Sequence, residues 1–242
     1  RPTWGLSIPQ YTEVLQLLAV KVDSEIPLSS PAESVTAMRL SREFRVTWSP
    51  EAKKVALSPP DSGGTMDLRG LSSGTGLAIV LAQSGLGFRV IPHPRSGFLL
   101  EIDAGGESDN LWPVGWKNKQ PVTVVVPAMY RHVEVDLDDE QVTDVLDLIG
   151  DRVELPWFSC RERLAADHID LDRVRFSTPP AKMMPARLLR AIASDSRMSI
   201  EPRTDEAGRV FLWCTTVKEQ AAWKRRFAHV IPGAETTQPS PR

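Results

Sequence analysis

Two cysteines have the widest choice of chemistry in this chain. A zinc site made of thiolates alone needs more cysteines than Cys160 and Cys214, and a thioredoxin-type redox site needs a CxxC motif, so the sequence excludes both. Both cysteines are expected on or near strands of one domain, and in an exported protein they could form a disulfide bond. The alternative is two buried thiols, and the sequence leaves both open.

The histidines and acidic residues do not form a metal-binding pattern. His168 lies between carboxylates in the segment 167–170, but the sequence has no HxH or HExxH spacing to supply converging ligands. The acidic segment 136–140 is similar to a calcium loop but lacks the glycine of its sharp turn. We therefore predict a solvated loop histidine, acidic residues beside the first turn of a helix, and no metal site.

A glycine-rich segment, 70–76, precedes a predicted helix. Backbone N–H groups at such a position can hold a phosphate, but the Lys-Ser/Thr pair of a P-loop and the GxGxxG spacing of a dinucleotide site are both missing. We expect Ser72 or Ser73 to cap the helix instead. Since the sequence also has no GxSxG motif, it predicts no catalytic residue and no cofactor.

Tryptophans and cations supply the remaining candidates for binding. Trp112 and Trp116 lie on an irregular segment, where they could anchor a protein partner, cover the chain's own core or seal an interface between its halves. A basic cluster lies near the C-terminus and is expected on a solvated helix face, with binding of nucleic acid or of an anionic surface as the alternative; it comprises Lys218, Lys224, Arg225 and Arg226.

Composition narrows the class of protein. The 242 residues include 29 basic and 31 acidic side chains, and this balance argues against a globally basic nucleic-acid binder. No apolar stretch approaches the roughly 18–20 residues that span a bilayer. The sequence begins at Arg1 rather than Met, which is expected of an exported chain whose signal peptide has been removed, or of a trimmed one.

The elements that must position these residues recur in both halves. Residues 11–18 and 142–149 share a helical apolar stripe, and each half then continues with similar strands, a second helix and a β-hairpin. Each half is therefore predicted to have the element order β-α-β-β-α-β-β. The predicted strands, in order, are 6–8, 25–28, 65–68, 86–90 and 98–102, then 132–137, 154–157, 174–177, 198–202 and 210–214. The first half has an additional predicted hairpin, 43–48 and 54–57.

We predict an α+β fold of two tandem small βαββαββ-type domains, with helices packed on short mixed sheets. The first domain spans residues 4–103 and includes the hairpin insert. A tryptophan-containing linker, 104–129, leads to the second domain, 130–232, which ends in a helix. The polar tail, 233–242, is predicted to be disordered.

This pattern resembles the secretin and TonB short N-terminal domain. The likeness rests on the segments 6–18 and 68–71, on the helix 77–83 and on the strand through Phe88. The second half resembles the same module or a related small secretin N-terminal domain. The resemblance implies a bacterial, periplasmic or otherwise exported module that binds protein partners, but no barrel-forming region follows, so a pore is not implied.

The leading hypothesis is a non-enzymatic interaction module of the bacterial cell envelope with an envelope protein as its partner. It involves no nucleic acid and no transmembrane segment, and it leaves self-association open. One alternative is a nucleic-acid-binding protein with KH-like domains, although the GxxG loop of that fold is missing after Leu18 and after Ile149. Another is a hydrolase whose site forms only in three dimensions.

Overall fold

The structure, a computed structural model, describes residues 4–58, 63–94, 97–105 and 110–227. The first half contains α1 (Ile8–Leu18), β1 (Glu25–Pro27), α2 (Pro31–Ala37), β2 (Phe44–Trp48), α3 (Pro50–Val55), β3 (Thr65–Asp67), α4 (Ser73–Ala82), β4 (Leu86–His93) and β5 (Gly97–Ala104). The connection contains α5 (Val122–Val125) and a 3₁₀ turn (Pro127–Tyr130). The second half contains β6 (Val133–Gln141), α6 (Val142–Val153), β7 (Trp157–Ser159), α7 (Arg161–Ala166), β8 (Arg175–Met183), α8 (Pro185–Asp195), β9 (Met198–Thr204), β10 (Val210–Thr216) and α9 (Val217–Phe227).

The two halves have the same sheet topology, which confirms the predicted α+β fold. The first half pairs β1 with β3 in an antiparallel sheet and orders β2-β5-β4 in a mixed sheet. The second half pairs β6 with β8 and orders β7-β10-β9, again with one parallel and one antiparallel pairing. Each half therefore contains the series β-α-β-β-α-β-β, with a short extra helix, α3 or α7, between its second and third strands.

In the first half, the helix that follows the first strand of the series is not the one that the sequence similarity indicated. By strand pairing, β1 corresponds to β6 and β2 to β7, so the counterpart of α6 is α2 and not α1. The predicted strand at 6–8 is also wrong. Ser7 caps α1 there: its Oγ accepts a hydrogen bond from the backbone N–H of Gln10, whose side chain accepts from the N–H of Ser7, and Pro9 is tolerated in the first turn.

The predicted hairpin insert is half correct. Its first strand is β2, but residues 54–57 form the end of α3 and the turn after it. Ser49 starts this helix by accepting a hydrogen bond from Ala52 N at 3.2 Å, and Pro50 occupies the first turn, where its missing N–H costs nothing. Strand β2 pairs instead with β5, in parallel.

The mixed sheet of the second half is buried on both faces. Phe211 and Trp213 pack against the apolar cluster of the first half, whereas the alternate residues Leu212 and Cys214 pack into the cluster of the second half. Because successive side chains of a strand point to opposite faces, β10 contributes to both cores. The two halves are thus joined by a shared, buried sheet.

No helix of the described ranges is both long and apolar enough to cross a membrane. The tail predicted to be disordered, 233–242, lies outside the described residues.

Candidate functional site

The glycine-rich segment holds a carboxylate that belongs to the chain itself. Ser72 occupies the N-cap position of α4, as the sequence predicts, but its side chain makes no capping hydrogen bond, and Glu206 from the β9–β10 turn lies at the start of this helix. Its Oε2 accepts hydrogen bonds from Thr75 N at 3.0 Å, from Thr75 Oγ1 at 2.8 Å and from the Ser72 hydroxyl. The N-terminus of α4, considered as a phosphate site from the sequence, is thus occupied by a carboxylate, which the helix dipole favours.

The close approach of this carboxylate depends on Gly74. A Cβ atom at this position would lie 2.8 Å from Glu206 Oε1 and 2.9 Å from Leu18 Cβ, closer than real Cβ contacts. Gly74 therefore provides space that this intramolecular anion needs.

Both linker tryptophans bind the same carboxylate. The indole N–H groups of Trp112 and Trp116 donate to Glu206 Oε1 at 2.7 and 3.2 Å, and the two residues are 3% and 0% exposed. Because these buried rings fill the interface between the halves, they are not exposed to anchor a protein partner. This is the intramolecular alternative that the sequence left open.

The linker backbone covers two strand edges. Trp112 N donates to Phe88 O of β4 at 2.6 Å. Trp116 N donates to Thr204 O of β9 at 2.7 Å, and Trp116 O accepts a hydrogen bond from Thr204 N at 2.9 Å. These bonds satisfy backbone groups that an edge strand otherwise exposes.

Asp205, which precedes Glu206 in the same turn, also joins the two halves through hydrogen bonds. It is 1% exposed, and its Oδ2 accepts from Ser72 N at 2.8 Å, while its Oδ1 accepts from Ala207 N and Arg209 N within the turn. Arg209 donates to the backbone oxygen of Arg69 at 2.7 Å. The sequence identified this region only as a hairpin turn, because its partners lie in the other half of the chain.

The two cysteines are not joined by a disulfide bond. Their backbones are neighbours, with Cys160 N donating to Cys214 O at 3.1 Å, but Cys160 packs in the first apolar cluster and Cys214 in the second. The side chains therefore lie on opposite faces of the sheet, a geometry that a disulfide does not span. Burial raises the pKa of the Cys214 thiol, which keeps it neutral and a poor nucleophile.

The other polar candidates lie in separate elements of the described ranges. Within the described ranges, no three His, Cys, Asp or Glu side chains come together as a metal site requires. His168 lies in a turn with a positive φ of 61°. In the basic cluster, Lys224 forms an ion pair with Glu201 at 2.5 Å, and Arg226 donates to Asn110 Oδ1 at 2.8 Å.

The acidic segment 136–140 lies just before a helix, as the sequence predicts, but it is part of a strand. Its residues belong to β6, and α6 begins only at Val142. The pairing with β8 shifts register between Val135 and Leu137 and again between Leu137 and Glu140, which indicates bulges. These irregularities let the strand continue where the alternation of apolar residues stops.

The two-stranded sheet of β6 and β8 has an open edge. Of the strands in the described parts of the chain, β8 is the one that pairs with β6, so the other edge of β6 has no strand beside it. The outer edge of β8 contains Pro179 and Pro180, which lack the N–H needed for pairing. Strand β6 contains no proline, so its edge is the one suited to a further strand.

A groove of about 610 Å³ runs along β6 and is also lined by residues of β8, α6 and α8. Val133 and Val135 of β6, Ile149 of α6 and Leu188 of α8 line it with apolar surface. Leu148 lines it too and is 62% exposed, a high value for a leucine. Such an exposed apolar lining beside an unpaired edge is typical of a protein-binding surface.

The groove lies within the most acidic part of the chain. Residues 134–151 contain eight carboxylates and no lysine, arginine or histidine, although the net charge of the whole chain is only −2. Glu134 and Asp136 line the groove, together with Arg152 and Lys182. On β6 this surface presents apolar and anionic groups beside one another, while α6 and β8 add the cations Arg152 and Lys182.

A comparison of the chain with protein-family models, curated proteins and solved structures finds no match. The resemblance to the secretin and TonB short N-terminal domain stays a prediction.

Proposed function

We propose that this chain is a non-enzymatic protein-interaction module that receives an extended segment of a partner protein along the open edge of β6. The observation that carries the proposal is this unpaired edge beside the exposed apolar groove. In strand addition, main-chain hydrogen bonds supply affinity, and alternate side chains enter pockets that supply specificity. Both requirements are present on this one surface.

Other features support a rigid binding body. The halves share a buried sheet, and Glu206 joins the start of α4 to both linker tryptophans. A binding edge on such a scaffold loses little conformational entropy when a partner docks. The bacterial cell envelope as the location, and an envelope protein as the partner, rest on the sequence resemblance alone.

The test is affinity capture from envelope extracts with three baits: the wild-type chain, Leu148→Gln and Ile8→Gln. Leu148 and Ile8 are both helical and both 62% exposed, so Ile8→Gln is a matched control outside the groove. We expect a protein that binds wild-type and Ile8→Gln baits and is lost from the Leu148→Gln bait. The captured protein is then purified and bound to the wild-type chain.

Hydrogen exchange on that purified complex locates the contact. We expect backbone amides of residues 133–137 to become protected, because strand addition gives them new partners. Protection elsewhere, or recovery of no envelope protein while the bait itself lies in the cytosol, contradicts the proposal. A mobility shift of nucleic acid that is lost only above moderate salt would favour the nucleic-acid alternative.

A further inference from the structure

Building on the proposed function, we infer that the partner segment received by β6 alternates aliphatic and cationic residues. The inference comes from the two faces of the strand. Along β6, Glu134 and Asp136 are exposed, whereas Val133 and Val135 are half-buried and Leu137 is buried. An added strand places its own side chains alternately beside these two rows.

Glu134, one of the two exposed carboxylates on β6, already has a cationic neighbour within the chain. On the β8 side, Lys182 lies opposite Glu134 in the register, and the Lys182 Nζ to Glu134 Oε1 distance is 3.6 Å. Asp136 lies at a register shift and has no residue of β8 opposite it. A cation on the open side would lie beside Glu134 and Asp136, where opposite charges on neighbouring strands attract.

The apolar row favours aliphatic residues at the alternate positions. Val133 and Val135 face the helices, where Ile149, Leu188 and the exposed Leu148 continue the apolar surface. Side chains placed here would remove this surface from water, which is favourable in proportion to its area. The five residues 133–137 extend over about 17 Å, so they match a segment of about five residues.

Two other occupants fit less well. A nucleic acid would bring its phosphates to a region with eight carboxylates. A second copy of this chain, paired through its own β6 edge, would place Glu134 and Asp136 against the same carboxylates, and like charges on neighbouring strands are destabilising. The observations thus favour a different protein with a basic, aliphatic segment.

The experiment measures fluorescence anisotropy with four labelled peptides at low salt. The first has the core Val-Lys-Val-Lys-Val, the second replaces lysine by glutamate, the third has the order Val-Val-Val-Lys-Lys, and the fourth is the first with N-methylated backbone amides. We expect saturable binding of the first peptide. The glutamate peptide should bind about tenfold more weakly, since two attractive pairs become repulsive, and the reordered peptide should also bind more weakly.

The double variant Glu134→Lys/Asp136→Lys should reverse the preference, so that the glutamate peptide becomes the tighter ligand. The matched control is Glu13→Lys/Glu51→Lys, which changes two exposed acidic residues of other helices and should leave the preference intact. Circular dichroism of both variants checks that they are folded.

Each remaining outcome overturns one idea. Equal binding of the lysine and glutamate peptides, or of the two lysine peptides, overturns the alternating partner chemistry, as does binding of none of them. If the lysine and glutamate peptides bind equally well and N-methylation abolishes binding of the first peptide, strand addition stands and only the partner chemistry fails. If the first peptide binds equally well with and without N-methylation, strand addition fails, and with it the proposed function.

Discussion

The substitution Glu206→Ala tests the junction between the halves most directly. It removes the acceptor for the indole N–H groups of Trp112 and Trp116 and for the backbone N–H of Thr75. These three donors have fixed directions, unlike the hydroxyls of Ser72 and Thr75, which can rotate to other acceptors.

The expected loss of folding stability follows from these three donors. A buried donor left without its acceptor costs about 1–3 kcal/mol. Glu206 is only half-buried, so we take the lower limit for each donor and obtain about 3 kcal/mol. Loss of the negative charge at the start of α4 adds about 0.5 kcal/mol. We therefore expect the free energy of unfolding to fall by about 3–4 kcal/mol.

The assay is urea denaturation followed by circular dichroism and by tryptophan fluorescence, with Glu13→Ala as the control. Glu13 lies on the exposed face of α1, and its replacement should change the free energy of unfolding by less than about 0.5 kcal/mol. If Glu206→Ala is destabilised by less than about 1 kcal/mol relative to Glu13→Ala, the reasoning is refuted, because the carboxylate would then not be satisfying these donors.

Three further predictions follow from the same contacts. Gly74→Ala should destabilise the chain by about 1–3 kcal/mol in the same assay, because its Cβ would overlap Glu206 and Leu18. The control, Gly76→Ala, should destabilise it less, because the nearest neighbour of its Cβ is the flexible end of Met38 at 3.1 Å. An equal loss of stability in the two variants would contradict this explanation. Cys160 and Cys214 should resist alkylation in the native protein and form no bond with each other under oxidising conditions, as read by intact mass, and both should react in urea; a native disulfide would contradict the assigned faces. The Arg69 guanidinium holds the pKa of Asp67 at about 2, below its ordinary value, so the stability that this ionised carboxylate contributes is present above about pH 4 and is lost as pH falls toward 2. Asp67→Asn should therefore make the free energy of unfolding less dependent on pH in that window. An NMR titration that gives Asp67 an ordinary pKa would contradict the pairing.

Part of the order of elements was predictable, because it depends on local patterns. Apolar residues at helical spacing indicated α4, α6 and α8, and glycine-containing turns indicated both hairpins. The correspondence between the halves was not predictable in the same way. The sequence of α1 is more similar to that of α6 than α2 is, but only the pairing of distant strands shows that α2 takes the equivalent place.

The junction was predictable only in part, for a related reason. The glycines before α4 indicated a place where an anion can approach the helix. The anion itself, Glu206, lies 131 residues from Thr75 in the sequence, and nothing near it distinguishes it from an ordinary turn residue. The strand β6 was missed beyond Leu137 because a bulge interrupts its alternation where three acidic residues follow one another.

The treatment of the strand edges bears on the proposed function. The linker covers parts of β4 and β9 through backbone hydrogen bonds, and prolines protect β8. The acidic residues and bulges of β6 are also devices that prevent indiscriminate strand pairing. Protection alone, however, does not explain an exposed Leu148 in an apolar groove beside the same edge, because exposed apolar surface favours association. An edge that repels most strands and retains an apolar surface selects its partner by charge, which is the property that the proposed segment requires.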